Sequence, residues 1–297
     1  MSNFCLQRIP KKIAQVWVDV AEALDLPPIS TYASTVTFNV RFSGIPTCLE
    51  DLSVFFNSIG LVDEEWFYVV SAGIDLESGS IINIVERLKA GDNVDDCLLE
   101  LSEIINRLTV ILERMYEKCD PYKFFHEIRR FFSGWLNDPQ LDGKGLCYEL
   151  ERGDVYFNLA GGSAAQTATI QLIDILLSIK HEHQADTDTF LEGKLKLPYF
   201  KEMRSYMPLS HRSYLEECEV FFGQLQVKES IMNSVNYKAC LAALSAFRNF
   251  HIIMVTRYIV SQKSKSKSSE PVFGTGGSNP IPFLKQFRND TLERMNN

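Results

Sequence analysis

Apolar positions recur along most of the chain with the spacing of amphipathic helices. Between Ile9 and Pro28 they fall at Ile13, Val16, Trp17, Val20 and Leu24, which predicts a helix ended by Pro27-Pro28. The β-branched and aromatic run from Thr31 to Phe42 fits a short strand, but such propensity is readily overridden by packing, and the segment stays undecided. Residues 64–91 read as helix with a break near Glu77-Ser78-Gly79. Leu98, Leu101, Ile104, Ile105, Leu108, Ile111, Leu112 and Met115 then mark a long amphipathic helix. Asp120 and Pro121, an N-cap followed by proline at the first helical position, start the next, which stops near Ser133-Gly134. The turn cluster "NDPQLDGKG" leads into "ELERGDVYFNLAGG", read as an irregular connection. Ser163 or Ala164 opens a helix running towards His181. Helices follow around Thr187 to Ser205, Pro208 to Glu219 and through "LSAFRNFHIIMVTRYI" (Leu244 to Ile259). A Ser/Lys/Gly linker from Ser261 precedes a short closing helix, "FLKQFRNDTLERMNN". The expected fold class is all-α.

Composition adds a real core: 45% of the 297 residues are hydrophobic and 11% aromatic. Thirty Lys and Arg against 38 Asp and Glu, a net charge of −8, argue against a nucleic-acid partner, whose phosphates call for basic surface. The seven cysteines contain no CxxC pair and are odd in number, so they read as free, mostly buried thiols of a reducing compartment. No signal peptide is visible, and the charge-free run from Val155 to Ile173 is too polar to cross a bilayer. The expectation is a soluble, cytoplasmic protein without a membrane partner.

His251 stands within an apolar pattern, sharing a helical face with Leu244, Phe247, Met254, Val255 and Tyr258. On periodicity alone it is a core histidine hydrogen-bonded to an oxygen. Its neighbours one turn away, Phe247 and Val255, offer no second ligand for a zinc or non-haem iron ion. A haem differs, because the porphyrin fills four positions and one axial histidine suffices; without CxxCH it would be held non-covalently. Arg248 and Asp174 also fall on apolar helices, where charge is costly unless paired. A buried Arg248–Asp174 pair, or Arg248 on a haem propionate, would account for them; so would two helix edges in water. Gly161-Gly162-Ser163 allows close backbone approach to a ligand but lacks the sequel of a phosphate loop, as does "GTGGS". The "HEH" histidines, His181 and His183, read as a solvated helix end, and Ser163 has no evident base for a hydrolase triad.

The pieces "LPPISTYAS", "DPYKFFHEIRRFFSGW", "NDPQL", "LAGGSAAQ", "MRSYMPLSHRSYLEE", "FRNFHIIMVTRYI" and "GTGGS", in this order and spacing, resemble the indoleamine 2,3-dioxygenase family from about Ile9 to Leu292. The resemblance implies an all-helical protein with a shortened small distal domain capping the pocket (1–90), vertebrate members carrying further residues ahead of this point. It implies a large haem-binding catalytic domain (91–297) with a mobile loop over 261–280. It also implies haem b, ferrous in the active form, O2 as co-substrate, an electron donor and probable monomeric state, and cleavage of the L-tryptophan 2,3-bond to N-formylkynurenine. By the same resemblance His251 is the proximal iron ligand, with Arg248 and Asp174 beside it. Arg129 receives the substrate carboxylate; Phe124, Phe125, Tyr32, Phe67 and Ser71 line the indole pocket. Gly162, Ser163 and Ala164 form the distal loop, and Thr275 belongs to the closing loop. Thr35 stands where a cysteine is common and Ala165 where a glycine is. Two other readings stay open: a relative acting on another indole in biosynthesis, which Arg129 argues against, and a non-catalytic haem or oxygen-binding protein.

Overall fold

The computed structural model describes residues 7–42, 44–136, 138–141, 143–181, 199–265, 274–275 and 280–296. Strand β1 (Arg8–Ile9) precedes helix α1 (Lys11–Ala23), a wide π-type turn over Ala33–Thr37, and the antiparallel strands β2 (Val40–Phe42) and β3 (Leu52–Val54). The undecided segment therefore divides between helical turn and strand. Helices α2 (Val62–Ser78) and α3 (Ser80–Ala90) meet at Gly79, where the sequence predicts the break. Helix α4 (Val94–Glu113) begins at Asn93, whose side chain accepts from the amides of Asp95 and Asp96. Two short turns, α5 (Met115–Lys118) and α6 (Pro121–Lys123), continue into a π turn over Phe124–Ile128 and a tight turn over Arg129–Phe132. Asp120 caps α6 as expected, accepting from Tyr122 and Lys123.

The segment read as irregular is instead a hairpin. Strands β4 (Leu146–Leu150) and β5 (Gly153–Phe157) pair antiparallel from Leu146 opposite Phe157 to Leu150 opposite Gly153, and β1 joins β4 in parallel. Alternating apolar residues flank Glu151-Arg152, and Gly153 takes φ +107°, a conformation glycine supplies without strain. Further on, a tight turn over Ala164–Gln166 precedes helix α7 (Ala168–Leu176), which Thr167 caps, so the helix starts later than Ser163. Next come α8 (Tyr199–Arg204), α9 (Leu209–Phe222), α10 (Leu225–Met232) and α11 (Tyr237–Val255). The expected helix from Thr187 is described only from Tyr199 on, and α10 was not anticipated.

Beyond α11 the axis continues through a π turn (Thr256–Val260) into α12 (Ser261–Lys265). The first part of the expected loop 261–280 is thus helical; 266–273 and 276–279 lie outside the described residues. Helix α13 (Pro280–Asn296) closes the chain. Among the described residues, the run from Tyr237 to Lys265 is the one helix long and apolar enough to cross a membrane, and it packs in the core against α4 and α13. The main core lies between α3, α4, α7, α9 and α11; a second joins α2 to the 124–132 segment and Tyr258. Of the six described cysteines, all free, only Cys48 is exposed.

Helix α1 buries a different face from the one its apolar stripe marks: Ala14 and Val18 pack in the β4–β5 hairpin core and Ala21 is buried, while Ile13, Val16, Val20 and Leu24 are exposed and, of the stripe, Trp17 alone packs on the hairpin.

Candidate functional site

A cavity of about 290 Å3 opens between α2, the 124–132 segment, the 162–167 loop, α11 and α13. Its wall is mostly apolar and aromatic, with Phe67, Phe124, Phe132, Phe247, Phe283 and Phe287 all facing it. Helix α11 contributes Phe247, Arg248, His251, Met254 and Val255, the face that the 3.6-residue period specifies. His251, half-buried at the cavity wall, makes no hydrogen bond, ion pair or ring contact among the described residues. The reading as a hydrogen-bonded core histidine fails on this point. Loss of hydration in the apolar wall pushes the imidazole down to about 4, so at neutral pH it is uncharged, with a lone pair directed at no protein donor.

A neutral imidazole in an apolar slot suits a metal that brings its own equatorial ligands. A bare ion would need further protein ligands, and no cluster of three His, Cys, Asp or Glu exists among the described residues. The residues present therefore fit haem, and His251 is the one that would hold its iron.

One turn before His251, Arg248 donates to both oxygens of Asp174, at 2.6 and 2.7 Å, and to the Phe287 carbonyl at 2.9 Å. It also donates to the Thr291 hydroxyl. The pair expected from the cost of burial thus forms; Arg248 lines the cavity and Asp174 stands behind it. Desolvation pushes the Asp174 carboxyl up, but Arg248 and His181 together outweigh it and hold the group below its ordinary range. His181 is not at a solvated helix end: Nε2 lies 3.0 Å from Asp174 and Nδ1 2.5 Å from Asp290, with the ring over Phe287. His183 lies outside the described residues.

On the other walls, the Phe67 ring lies 4.9 Å from Phe124 and 5.2 Å from Phe132. Tyr32, Thr35 and Ser71 line the cavity beside them. The Tyr32 hydroxyl donates to Asp75, as do Thr37 and Thr167; burial pushes this carboxyl up against those three donors. Arg129 reaches the cavity, and burial lowers its pKa without threatening its charge. Phe125 does not line the cavity. It follows Phe124 on the same turn and so points to a different side, meeting the His126 ring and the Arg129 guanidinium.

Gly162, Ser163, Ala164 and Ala165 form the loop at the cavity rim. The obligatory glycine is Gly161, where a Cβ would sit 1.9 Å from the Phe132 carbonyl; at Gly162 the nearest atom would be 3.6 Å away. The close approach is thus to the 132–134 backbone, not to a ligand. Ser163 accepts from the Ala165 amide. Thr275 is tied to the same loop: its hydroxyl donates to the Gly162 carbonyl at 2.6 Å, and its carbonyl accepts from the Gly161 amide.

The family model for indoleamine 2,3-dioxygenase matches residues 2–294. The chain belongs to the indoleamine 2,3-dioxygenase family. Among its relatives, indoleamine 2,3-dioxygenase of Saccharomyces cerevisiae is 31% identical over 96% of this chain and 72% of the relative. The 6-hydroxytryptophan 2,3-dioxygenase of Fusarium equiseti is 30% identical over 97% and 76%. A protein named myoglobin, from Haliotis diversicolor, is 31% identical over 96% and 74%. Indoleamine 2,3-dioxygenases are haem-dependent oxidoreductases that add dioxygen to indoles, and the lone imidazole in an aromatic cavity is what such chemistry requires of its protein.

The site residues that the resemblance implies converge on this cavity, Phe125 and Asp174 excepted, whereas "NDPQL" and "MRSYMPLSHRSYLEE" supply none of its lining among the described residues. The α13 wall, with Phe283, Leu284 and Phe287, and the His181–Asp290 contact escaped the sequence reading. The apolar spacing of Phe283 and Phe287 signals a buried face; nothing local signals what that face covers.

Proposed function

We propose that this protein cleaves the 2,3-bond of L-tryptophan with dioxygen to give N-formylkynurenine, opening tryptophan catabolism, and that it works on haem b held through His251. The observation that carries this reading is His251 itself, neutral and without a protein partner in the wall of an aromatic cavity that Arg129 also lines. Ferrous haem bound there, kept reduced by an external electron donor, supplies the activation of dioxygen. The chain's residues do the rest. Phe67 and Phe124 pack the indole, each contributing on the order of 1 kcal/mol beyond area burial. Arg129 offers a planar fork to the amino-acid carboxylate, fixing the far end of the substrate. Tyr32, Thr35 and Ser71 bound the ring, and residues 1–90 cap the cavity. Gly162, Ser163 and Thr275 close the rim through backbone-directed hydrogen bonds. Ser163 has no base beside it and acts by orientation, so its hydroxyl is dispensable.

A second reading, reversible oxygen binding without turnover, is favoured by the Haliotis relative. Hydroxylated indoles are favoured as substrates by the Fusarium relative. Incubating the ascorbate-reduced, haem-loaded protein with L-tryptophan, 6-hydroxytryptophan and tryptamine in air separates the three. Ring-opened product formed fastest from L-tryptophan, as N-formylkynurenine, supports the proposal; oxygen uptake with no ring-opened product from any indole overturns it.

A further inference from the structure

The electrostatics behind the proximal wall hinge on a residue outside the cavity. Helix α7 ends in a reversal: Leu177 caps it, Ser178 takes φ +52°, and the Ile179 amide returns to the Asp174 carbonyl at 2.9 Å while the Ser178 amide bonds the Ile175 carbonyl. This double bond folds the chain back so that His181 lies against Asp174, seven positions earlier. Helix α13 brings Asp290 to the opposite nitrogen. Both ring nitrogens thus meet carboxylate oxygens, and a neutral imidazole has only one N–H to give. The side chains are nearly sealed, with 11% of His181, 7% of Asp174 and 4% of Asp290 exposed. Two buried carboxylates against Arg248 alone would leave one uncompensated negative charge; an imidazolium closes the balance.

We propose that His181, held as an imidazolium between Asp174 and Asp290, is a positioning residue for the proximal wall: it fixes Asp174, and through Asp174 the Arg248 guanidinium that faces the cavity one turn from His251. The chain Asp290–His181–Asp174–Arg248 spans α13, the α7 reversal and α11, and Arg248 returns to α13 at Phe287 and Thr291, closing a ring. Loss of the His181 proton leaves two carboxylates against one cation, Arg248, which bonds Asp174 but not Asp290, and the guanidinium loses its fixed partner geometry. Besides those three groups, the flank of His181 carries Lys180 beside it, Lys201 and Arg204 on α8, Glu219 on α9 and Lys228 on α10. Arg204 and Glu219 satisfy each other at 2.7 and 3.0 Å, so among the described residues Asp174 and Asp290 remain the charged groups in contact with the ring.

The two carboxylates outdo burial and raise His181 above its ordinary 6.5. A base with a raised folded pKa stabilises fully below its unfolded pKa, and the gain disappears as pH climbs through the folded value. Thermal unfolding of the full chain without haem, from pH 6 to pH 9, tests this for wild type and His181→Gln. The wild type should melt well above the variant at pH 6, and the gap should close as pH rises. A gap constant over the whole range means that His181 only fills space, and overturns the proposal. If His181→Gln does not fold, Asp290→Asn carries the test: with one acceptor gone, the alkaline loss of stability should move down towards pH 6.5, and an unmoved loss overturns it.

The link to Arg248 rests on the haem reading above and has its own readout. Haemin should leave His181→Gln several-fold faster than wild type at pH 6 and at a similar rate at pH 9; equal rates at pH 6 overturn the positioning role. A wild type that takes up no haemin would refute the haem reading instead, while the pH-dependent melting gap would still stand or fall by itself.

Discussion

His251 and Arg129 divide the candidate site between a neutral donor and a permanent cation. The His251 lone pair meets no donor among the described residues, and the apolar wall keeps the imidazole uncharged well below neutral pH. His251→Ala should therefore abolish the Soret band of the haemin-loaded protein or leave it weak and shifted, with the fold retained by far-ultraviolet circular dichroism; an unaltered spectrum would remove His251 as the axial ligand. On the proposed role of Arg129 at the substrate carboxylate, Arg129→Ala should raise the apparent KM for tryptophan by roughly one to two orders of magnitude, the effect of removing a charge-assisted pair worth about 1.5–3 kcal/mol. Tryptamine, which lacks the carboxylate, should be nearly unaffected, and equal losses for both substrates would contradict the assignment. The periodic pattern put His251 on the right face of α11, but could not reveal its missing hydrogen bond, which depends on what α2 and α13 bring opposite. For Arg248 and Asp174 a cost argument named the pair as one of three outcomes, and the structure forms it, because two charges on buried helix faces have few ways to be satisfied. His181 was misjudged because its partners, Asp174 and Asp290, are separated from it by a helix reversal and by most of the C-terminal chain.

At the scale of elements, spacing and capping signals predicted where most helices begin and break: Asp120-Pro121 at α6, Gly79 between α2 and α3, the long apolar pattern of α4. They failed where the partner surface decides. The stripe Ile13, Val16, Trp17, Val20 and Leu24 gave the right helix but, Trp17 apart, the wrong buried face, since the β4–β5 hairpin packs on Ala14 and Val18, small enough for close approach. The hairpin itself was hidden by a charged Glu151-Arg152 turn between two short strands. Substitutions distinguish the two faces of α1. Val18→Ala should destabilise by about 1–2 kcal/mol through loss of buried methyl groups, whereas Val16→Ala should stay within about 0.5 kcal/mol; urea unfolding midpoints measure both, and a larger loss at Val16 would show that the outer face is covered. Gly161→Ala is the loop counterpart. A Cβ 1.9 Å from the Phe132 carbonyl forces the 132–134 and 159–163 backbones apart, so a loss exceeding about 2 kcal/mol is expected, with Gly162→Ala much milder.

Taken as a whole, the molecule builds one cavity from segments distributed over most of its length, from Tyr32 on the first π turn to Phe287 on α13. The order of the motifs carried that assembly in the sequence, whereas propensity alone reached no further than a helical protein with an unexplained histidine. Fold and site converge on a single chemical demand: both atoms of dioxygen must end in the indole. Reaction of the ferrous, haem-loaded protein with L-tryptophan under 18O2, followed by mass spectrometry of the product, tests that demand most directly. The account predicts N-formylkynurenine carrying label at both its new oxygen atoms. A product labelled at only one of them, or a ferrous protein that binds oxygen and leaves tryptophan intact, would contradict it.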